Sequence, residues 1–271
     1  MVKETFLVWK FEAFREYLSY EVLRNAAQVL SLYEGEEFNI RNPKIIDMQN
    51  LLAIRTNKST WMPNRSGEQY LNVNAEGDVY RNKGRLFTSM LILFPKDLSD
   101  NKVKLTDFGK KLAGGYLPKQ DFYKFIICNY KYPHPAYMDD YEKWVEKGII
   151  LLPFILILQV LMKLEALGQN YLTTDEVAFF LYRNPDHNHI DDYVKLIVSS
   201  REKNEKIKVE SSDKVTRKIN DIFGFLLMSG YLTQSKKGKF SINLSKKVEI
   251  QSCIENSLEK YLEENINGNH C

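Results

Sequence analysis

Twice along this chain a basic segment is followed at once by short β-prone runs, and both times two helical stretches precede it. In the first copy the basic run Tyr80–Arg85 leads into apolar Leu91–Phe94, a polar turn at Ser99–Asn101 and a closing Val103–Leu105. In the second, Asp213–Asn220 leads through Phe223–Leu227 to Tyr231–Thr233, a turn at Ser235–Lys239 and the run Phe240–Leu244. The shared plan is helix, helix, basic helix, tight hairpin. It predicts a mainly α protein with small β-hairpins (α+β), built as two similar subdomains. A helix with Arg, Lys and Asn on one face, backed by a basic hairpin, suits the major groove of DNA.

Charge supports this by its distribution, not its total. The 271 residues carry a net charge of only +3. Residues 201–247, however, hold twelve Lys/Arg against five acids, and the tail from Val248 holds five Glu and one Lys. A basic block within a near-neutral chain points to a surface that meets a polyanion. The bland alternative is a solvated helical face.

Cysteine and histidine usage argues against a metal site. Cys128, Cys253 and Cys271 stand far apart with no CxxC, and the four histidines are too scattered for a zinc finger. His187 and His189 could bind a metal, but the preceding Pro185–Asp186 reads better as a helix start. Cys128 lies in an apolar run and is expected to be a reduced core thiol, which fits a cytoplasmic protein. The first residues form no signal peptide. The greasiest run, Ile149–Met162, is too short to span a bilayer, so no membrane partner is expected.

Residues 12–33 place Phe14, Leu18, Val22, Leu23, Ala26 and Leu30 at helical spacing. Pro43 opens a second helix through Met48, Leu51, Leu52 and Ile54. Residues 55–78 read as a long polar loop. Thr106 caps a short helix that ends at Gly114–Gly115. A helix over 119–130 follows, with Phe122, Phe125, Ile126 and Ile127 on its buried side. Tyr132–Pro135 breaks the chain, and the linker is placed at 115–150, between subdomains 1–114 and 151–271. Pro153 starts a buried central helix that ends at Gly168. Thr173–Glu176 is a capping box that starts a helix over Val177–Tyr182. A charged helix from Asp191 to Lys206 and an amphipathic helix from Lys246 to Glu264 complete the second half.

On the helix over 213–229, Lys214, Arg217, Lys218 and Asp221 fall at i, i+3, i+4 and i+7 on one face, with Asn220 beside them. Val215, Ile219, Ile222, Leu226 and Leu227 supply the opposite, buried stripe. Arg and Lys suit guanine O6/N7, and Asn suits adenine N6/N7. Lys236, Lys237 and Lys239 at the hairpin tip suit phosphates, which position without specifying. In the first copy Arg81, Asn82, Lys83 and Arg85 surround Gly84, on a short helix or a loop. Arg55, Lys58, Asn64, Arg65 and Gln69 are expected to support them. Nothing resembling a nuclease centre converges: Asp100–Lys102 and Pro185–Asp186 lie in different predicted units. Phosphate-loop, dinucleotide and nucleophile-elbow motifs are absent.

Four segments carry a family resemblance. Leu105–Ala113 follows a Leu/Ile-Thr-x-x-Gly-x-x-Leu-Ala pattern. Asp121–Pro133 is a helix ending in Lys-Tyr-Pro. Ile150–Leu158 with Leu172–Leu181 forms a Pro-aromatic helix followed by a capped one, and Phe223–Tyr231 ends the second basic helix. In this order and spacing they resemble the DNA-recognition part of type IIS restriction endonucleases, the group of FokI, BpuJI and related nicking enzymes. The match spans roughly residues 80–245 and is poorest over 1–79. It implies two winged-helix (helix-turn-helix-like) subdomains joined by a helical linker and reading an asymmetric duplex-DNA site. It also implies a C-terminal nuclease domain on the same polypeptide, outside this stretch, with Mg²⁺ needed there only. Within that resemblance Arg81–Arg85 and Lys214–Asn220 face DNA, with Trp9 and Lys10 as further candidates. This chain alone is then a non-catalytic recognition module without a cofactor or metal of its own. The rival readings are a winged-helix transcriptional regulator and a complete small nuclease.

Overall fold

The structure is a computed structural model. It describes residues 7–11, 17–39, 41–57, 83–205, 207, 213–236 and 238–266. The chain forms two compact units: Glu12–Phe122, and Tyr123–Cys271 together with the N-terminal segment Met1–Phe11. This division differs from the expected 1–114, 115–150 and 151–271. The boundary falls within one helix of the anticipated linker, and the chain start joins the second half.

In the unit of Glu12–Phe122, α1 (Tyr20–Leu32) starts where the Ser19 hydroxyl accepts the Val22 N–H at 3.3 Å. It buries Leu23, Ala26, Ala27 and Leu30, the expected stripe. α2 (Pro43–Thr56) has Pro at its first turn and ends at Asn57 in the left-handed region. α3 (Lys83–Ser89) is short. The expected first hairpin is not built as strands. Among the described residues this region has isolated bridges, Leu93 with Leu105 and Glu37 with Lys102. Leu91 adopts φ +56°, and Lys96–Leu98 winds as a 3₁₀ turn, so Leu91–Phe94 cannot run as a regular extended edge. α4 (Asp107–Ala113) is capped as expected: the Thr106 hydroxyl accepts the Gly109 N–H at 2.9 Å and donates to the Leu91 carbonyl at 2.6 Å.

The other unit begins inside α5 (Lys119–Asn129). Phe122, Ile126 and Ile127 are buried as expected, but Phe125 is 39% exposed. α6 (Met138–Lys147) and α7 (Pro153–Ala166) follow, and α7 is buried around almost its whole circumference, as a central core helix. β1 (Leu172–Thr173) precedes α8 (Thr174–Glu176), which continues into a π-helical stretch, Val177–Leu181. α9 (Ile190–Glu202), α10 (Asp213–Met228), β2 (Leu232–Lys236), β3 (Lys239–Ile242) and α11 (Lys247–Ile266) complete it. The sheet order is β1-β3-β2, antiparallel throughout. The second hairpin is therefore present where expected, and β1 adds a third strand that sequence did not suggest.

Residues 7–11 thread into this unit. Phe11 packs edge-to-face on Tyr130, Phe154 and Phe225 at 4.9–5.0 Å between ring centroids. Burying one Phe contributes about 1.5–3 kcal/mol and each aromatic pair roughly 0.5–1.5 more, so this segment is firmly anchored. Cys128 corrects another expectation. It is bonded to Cys253 in a disulfide of S–S 2.12 Å that ties α5 to α11. The 125-residue separation hid this pairing in the sequence.

Candidate nucleic-acid interface

The second basic segment is assembled around Asn220. Its Oδ1 accepts the Thr174 hydroxyl at 3.0 Å. Thr174 follows Thr173, which pairs with Lys239 across β1 and β3, and Lys239 pairs in turn with Lys236 of β2. A register shift between Gln234 and Lys236 bulges the hairpin there. Phe223 stacks flat on Phe240 with centroids 4.0 Å apart, locking α10 to β3. These contacts bring the middle of α10 beside the end of the sheet where Lys236 and Lys239 sit.

Arg217 lies one turn before Asn220 and is exposed. Thr233, Gln234, Ser235 and Lys236 along β2 are also exposed. Lys239 is half-buried, with Nζ 3.9 Å from the centroid of the Tyr171 ring. Among the described residues no carboxylate pairs with Arg217, Lys236 or Lys239. Elsewhere in this unit some cations are matched, among them Lys163 with Asp191, Lys246 with Glu249, and Lys247 with Glu165. Salt bridges on a surface contribute little, so these pairs mark where charge is neutralised rather than where stability arises.

A buried ion pair holds the segment that leads through β1 into α8. Arg201, at the end of α9, donates from Nε to Glu176 Oε1 at 2.7 Å and from Nη2 to Glu176 Oε2 at 2.9 Å. Nη2 also reaches the Tyr171 carbonyl at 2.7 Å, and Nη1 reaches Gln169 at 3.1 Å. The Arg201 and Glu176 side chains are 12% and 5% exposed. Glu176 Oε2 further accepts the Thr173 N–H and hydroxyl at 2.8 and 2.9 Å, completing the capping box anticipated from Thr173–Glu176. The expected motif thus does more than start a helix. It carries the charge partner of an arginine 25 residues away, which no local pattern reveals.

Several anticipated residues sit differently. Trp9, a candidate DNA contact, is fully buried; its Nε1 donates to the Tyr182 carbonyl at 3.0 Å and its ring stacks on Tyr182. Its role is in the core. Lys10 has Nζ 4.5 Å from the Tyr137 ring centroid, while its carbonyl accepts the Tyr130 and Tyr132 hydroxyls at 2.7 Å each. Asp221, expected beside the basic residues, is buried. Lys218 and Asn220 are half-buried rather than fully presented. Of the buried stripe, Ile219, Ile222 and Leu226 are buried, and Val215 and Leu227 only partly so.

In the first copy Arg85 is half-buried on α3. Lys83 lies on α3 and Lys214 on α10. Arg81, Asn82, Lys58, Asn64, Arg65, Gln69 and Lys237 lie outside the described residues. Asp186 caps the turn His187–His189, as the helix-start reading expected. His187 is spent on the Leu152 N–H and Gln159 at 3.1 and 2.6 Å. Among the described residues no group of three or more His, Cys, Asp or Glu could hold a metal ion. Likewise no described helix is long and apolar enough to cross a membrane.

No curated protein matches the chain. Among solved structures, the BpuJ1 endonuclease binding domain, crystallised in complex with pyrene- and phenanthrene-modified DNA, superposes with a TM-score of 0.64. The match covers 93% of this chain and 84% of that one at 13% identity, which establishes a shared fold. Residues 82–267, well over half of the sequence and including both α3 and the whole α8–α11 assembly, match the family described as the N-terminal part of restriction endonuclease BpuJI. The chain belongs to the BpuJI N-terminal restriction endonuclease family.

Proposed function

We propose that this chain is a sequence-specific reader of duplex DNA, the target-recognition part of a type IIS restriction endonuclease. α8, α9 and α10 with the β2–β3 hairpin act as a winged-helix unit. Arg217 on α10 reaches base edges in the major groove, with Asn220 beside it. Lys236 and Lys239 on the hairpin hold phosphates. Arg81–Arg85 supply the second contact region. Cleavage is assigned to a nuclease domain elsewhere on the same polypeptide, which would use Mg²⁺; catalysis is not assigned to this chain.

One observation supports the reading most strongly: exposed Arg217 on α10 and the cross-strand pair Lys236 and Lys239 on the following hairpin have, among the described residues, no carboxylate partner. The family membership and the DNA complex of the structural relative support it. Selection of bound duplexes from a random pool tests it. An asymmetric enriched motif is expected, with binding that weakens steeply as salt rises. A palindromic motif would favour a transcriptional regulator. No enrichment, with no salt-dependent binding, would refute the reading.

A further inference from the structure

One ring in this molecule serves two cations. The Tyr171 ring centroid is 4.0 Å from Arg201 Cζ and 3.9 Å from Lys239 Nζ. The two cations are not equivalent. Arg201 is neutralised by Glu176 and makes four hydrogen bonds, so it is fixed. Among the described residues Lys239 has no carboxylate partner, and its ammonium rests on the ring alone. Tyr171 is itself pinned, because its carbonyl accepts Arg201 Nη2 and it precedes β1, whose Thr173 pairs with Lys239. The shelf is rigid and its occupant is a single otherwise flexible side chain.

A lysine loses rotamer freedom when it is ordered. A lysine already held on an aromatic face has met part of that cost before its anion arrives. We propose that Tyr171, backed by the Arg201–Glu176 pair, is a positioning residue that presents the Lys239 ammonium to a DNA phosphate. This rests on the reading of the α10 and hairpin face given above. Tyr171 touches no DNA in this scheme, and its effect passes entirely through Lys239.

The test uses the full chain and a mixed-sequence duplex, since phosphate contacts are independent of sequence. Binding is titrated by fluorescence anisotropy across a salt series for wild type, Tyr171→Leu, Tyr171→Phe, Lys239→Met, Lys236→Met and the Tyr171→Leu/Lys239→Met double variant. Lys239→Met is expected to lower the magnitude of the log K against log salt slope by about 0.9. Tyr171→Leu is expected to weaken binding roughly three- to tenfold in the wild-type background and to have no effect beside Lys239→Met. Tyr171→Phe keeps the ring and should bind as wild type. An equal loss from Tyr171→Leu in both backgrounds would mean general damage to the fold and overturn the proposal. So would a normal Tyr171→Leu protein beside a weakened Lys239→Met one. If neither Lys236→Met nor Lys239→Met alters affinity, the hairpin does not meet DNA, and the functional reading falls with the positioning role.

Discussion

Glu176→Ala is expected to be among the most damaging single substitutions in the larger unit. The side chain is 5% exposed and accepts two bonds from Arg201 and two from Thr173. Its removal leaves a guanidinium that is 12% exposed with only neutral partners, Gln169 and the Tyr171 carbonyl. Breaking a buried ion pair from one side costs about 3–5 kcal/mol, because the remaining charge stays buried without its counter-charge. The Thr173 N–H and hydroxyl also lose their carboxylate acceptor, while the Thr173 cap on the residue 176 N–H remains. The assay is urea unfolding followed by the fluorescence of Trp9 and Trp144, both fully buried in this unit. The midpoint should fall by the amount that corresponds to that loss at an unchanged slope. Replacing both partners by Met should cost clearly less than the sum of the two single changes, since an apolar pair leaves no stranded charge. A Glu176→Ala loss below about 1 kcal/mol, typical of an exposed pair, would refute this account of the site's scaffold.

Other outcomes follow from the same structure. At Gly109 an added Cβ would stand 2.2 Å from the Ile92 carbonyl oxygen, so Gly109→Ala should destabilise by about 1–3 kcal/mol in thermal unfolding, although alanine usually favours a helix. Burial lowers the pKa of His187 from 6.5 to about 4 and that of His134 to about 3. The unfolded chain therefore takes up these protons first: stability is intact above pH 6.5 and falls as pH drops toward 4, by up to about 1.4 kcal/mol per pH unit per histidine. His187→Gln should shrink that slope by one proton's worth in pH-dependent urea melts. Reducing the Cys128–Cys253 disulfide should lower the stability of the larger unit by about 2–4 kcal/mol, measured with and without reductant.

Much of the local structure was legible in the sequence because local rules govern it. Pro43, Thr106, Pro153 and the Thr173–Glu176 box each mark a helix start that the structure contains. The β2–β3 hairpin follows from its Lys-Gly-Lys turn between apolar runs, with Gly238 in the left-handed region at φ +79°. What was missed depends on distance along the chain. Trp9, a DNA-contact candidate through the resemblance, is consumed by Tyr182, 173 residues away, which no local pattern reveals. Cys128 meets Cys253 only after the fold brings α11 onto α5. The first hairpin pairs only through the Leu93–Leu105 bridge, and the reason is local: the left-handed Leu91 is an unusual conformation for a bulky residue, held where Thr106 binds its carbonyl. In the candidate site, charge alone marked Arg217, Lys236 and Lys239, whereas the contacts of Tyr171, Arg201 and Thr174 join residues far apart in the chain and leave no local pattern.

In the proposed function the exposed face of α10 reads base edges. Arg217→Ala, titrated against the selected duplex and a panel of single-base variants, tests it most directly. A loss of about 1–3 kcal/mol confined to one position of the site, with that position becoming degenerate, is the predicted result. A uniform loss across all the duplexes, or none at all, would contradict it.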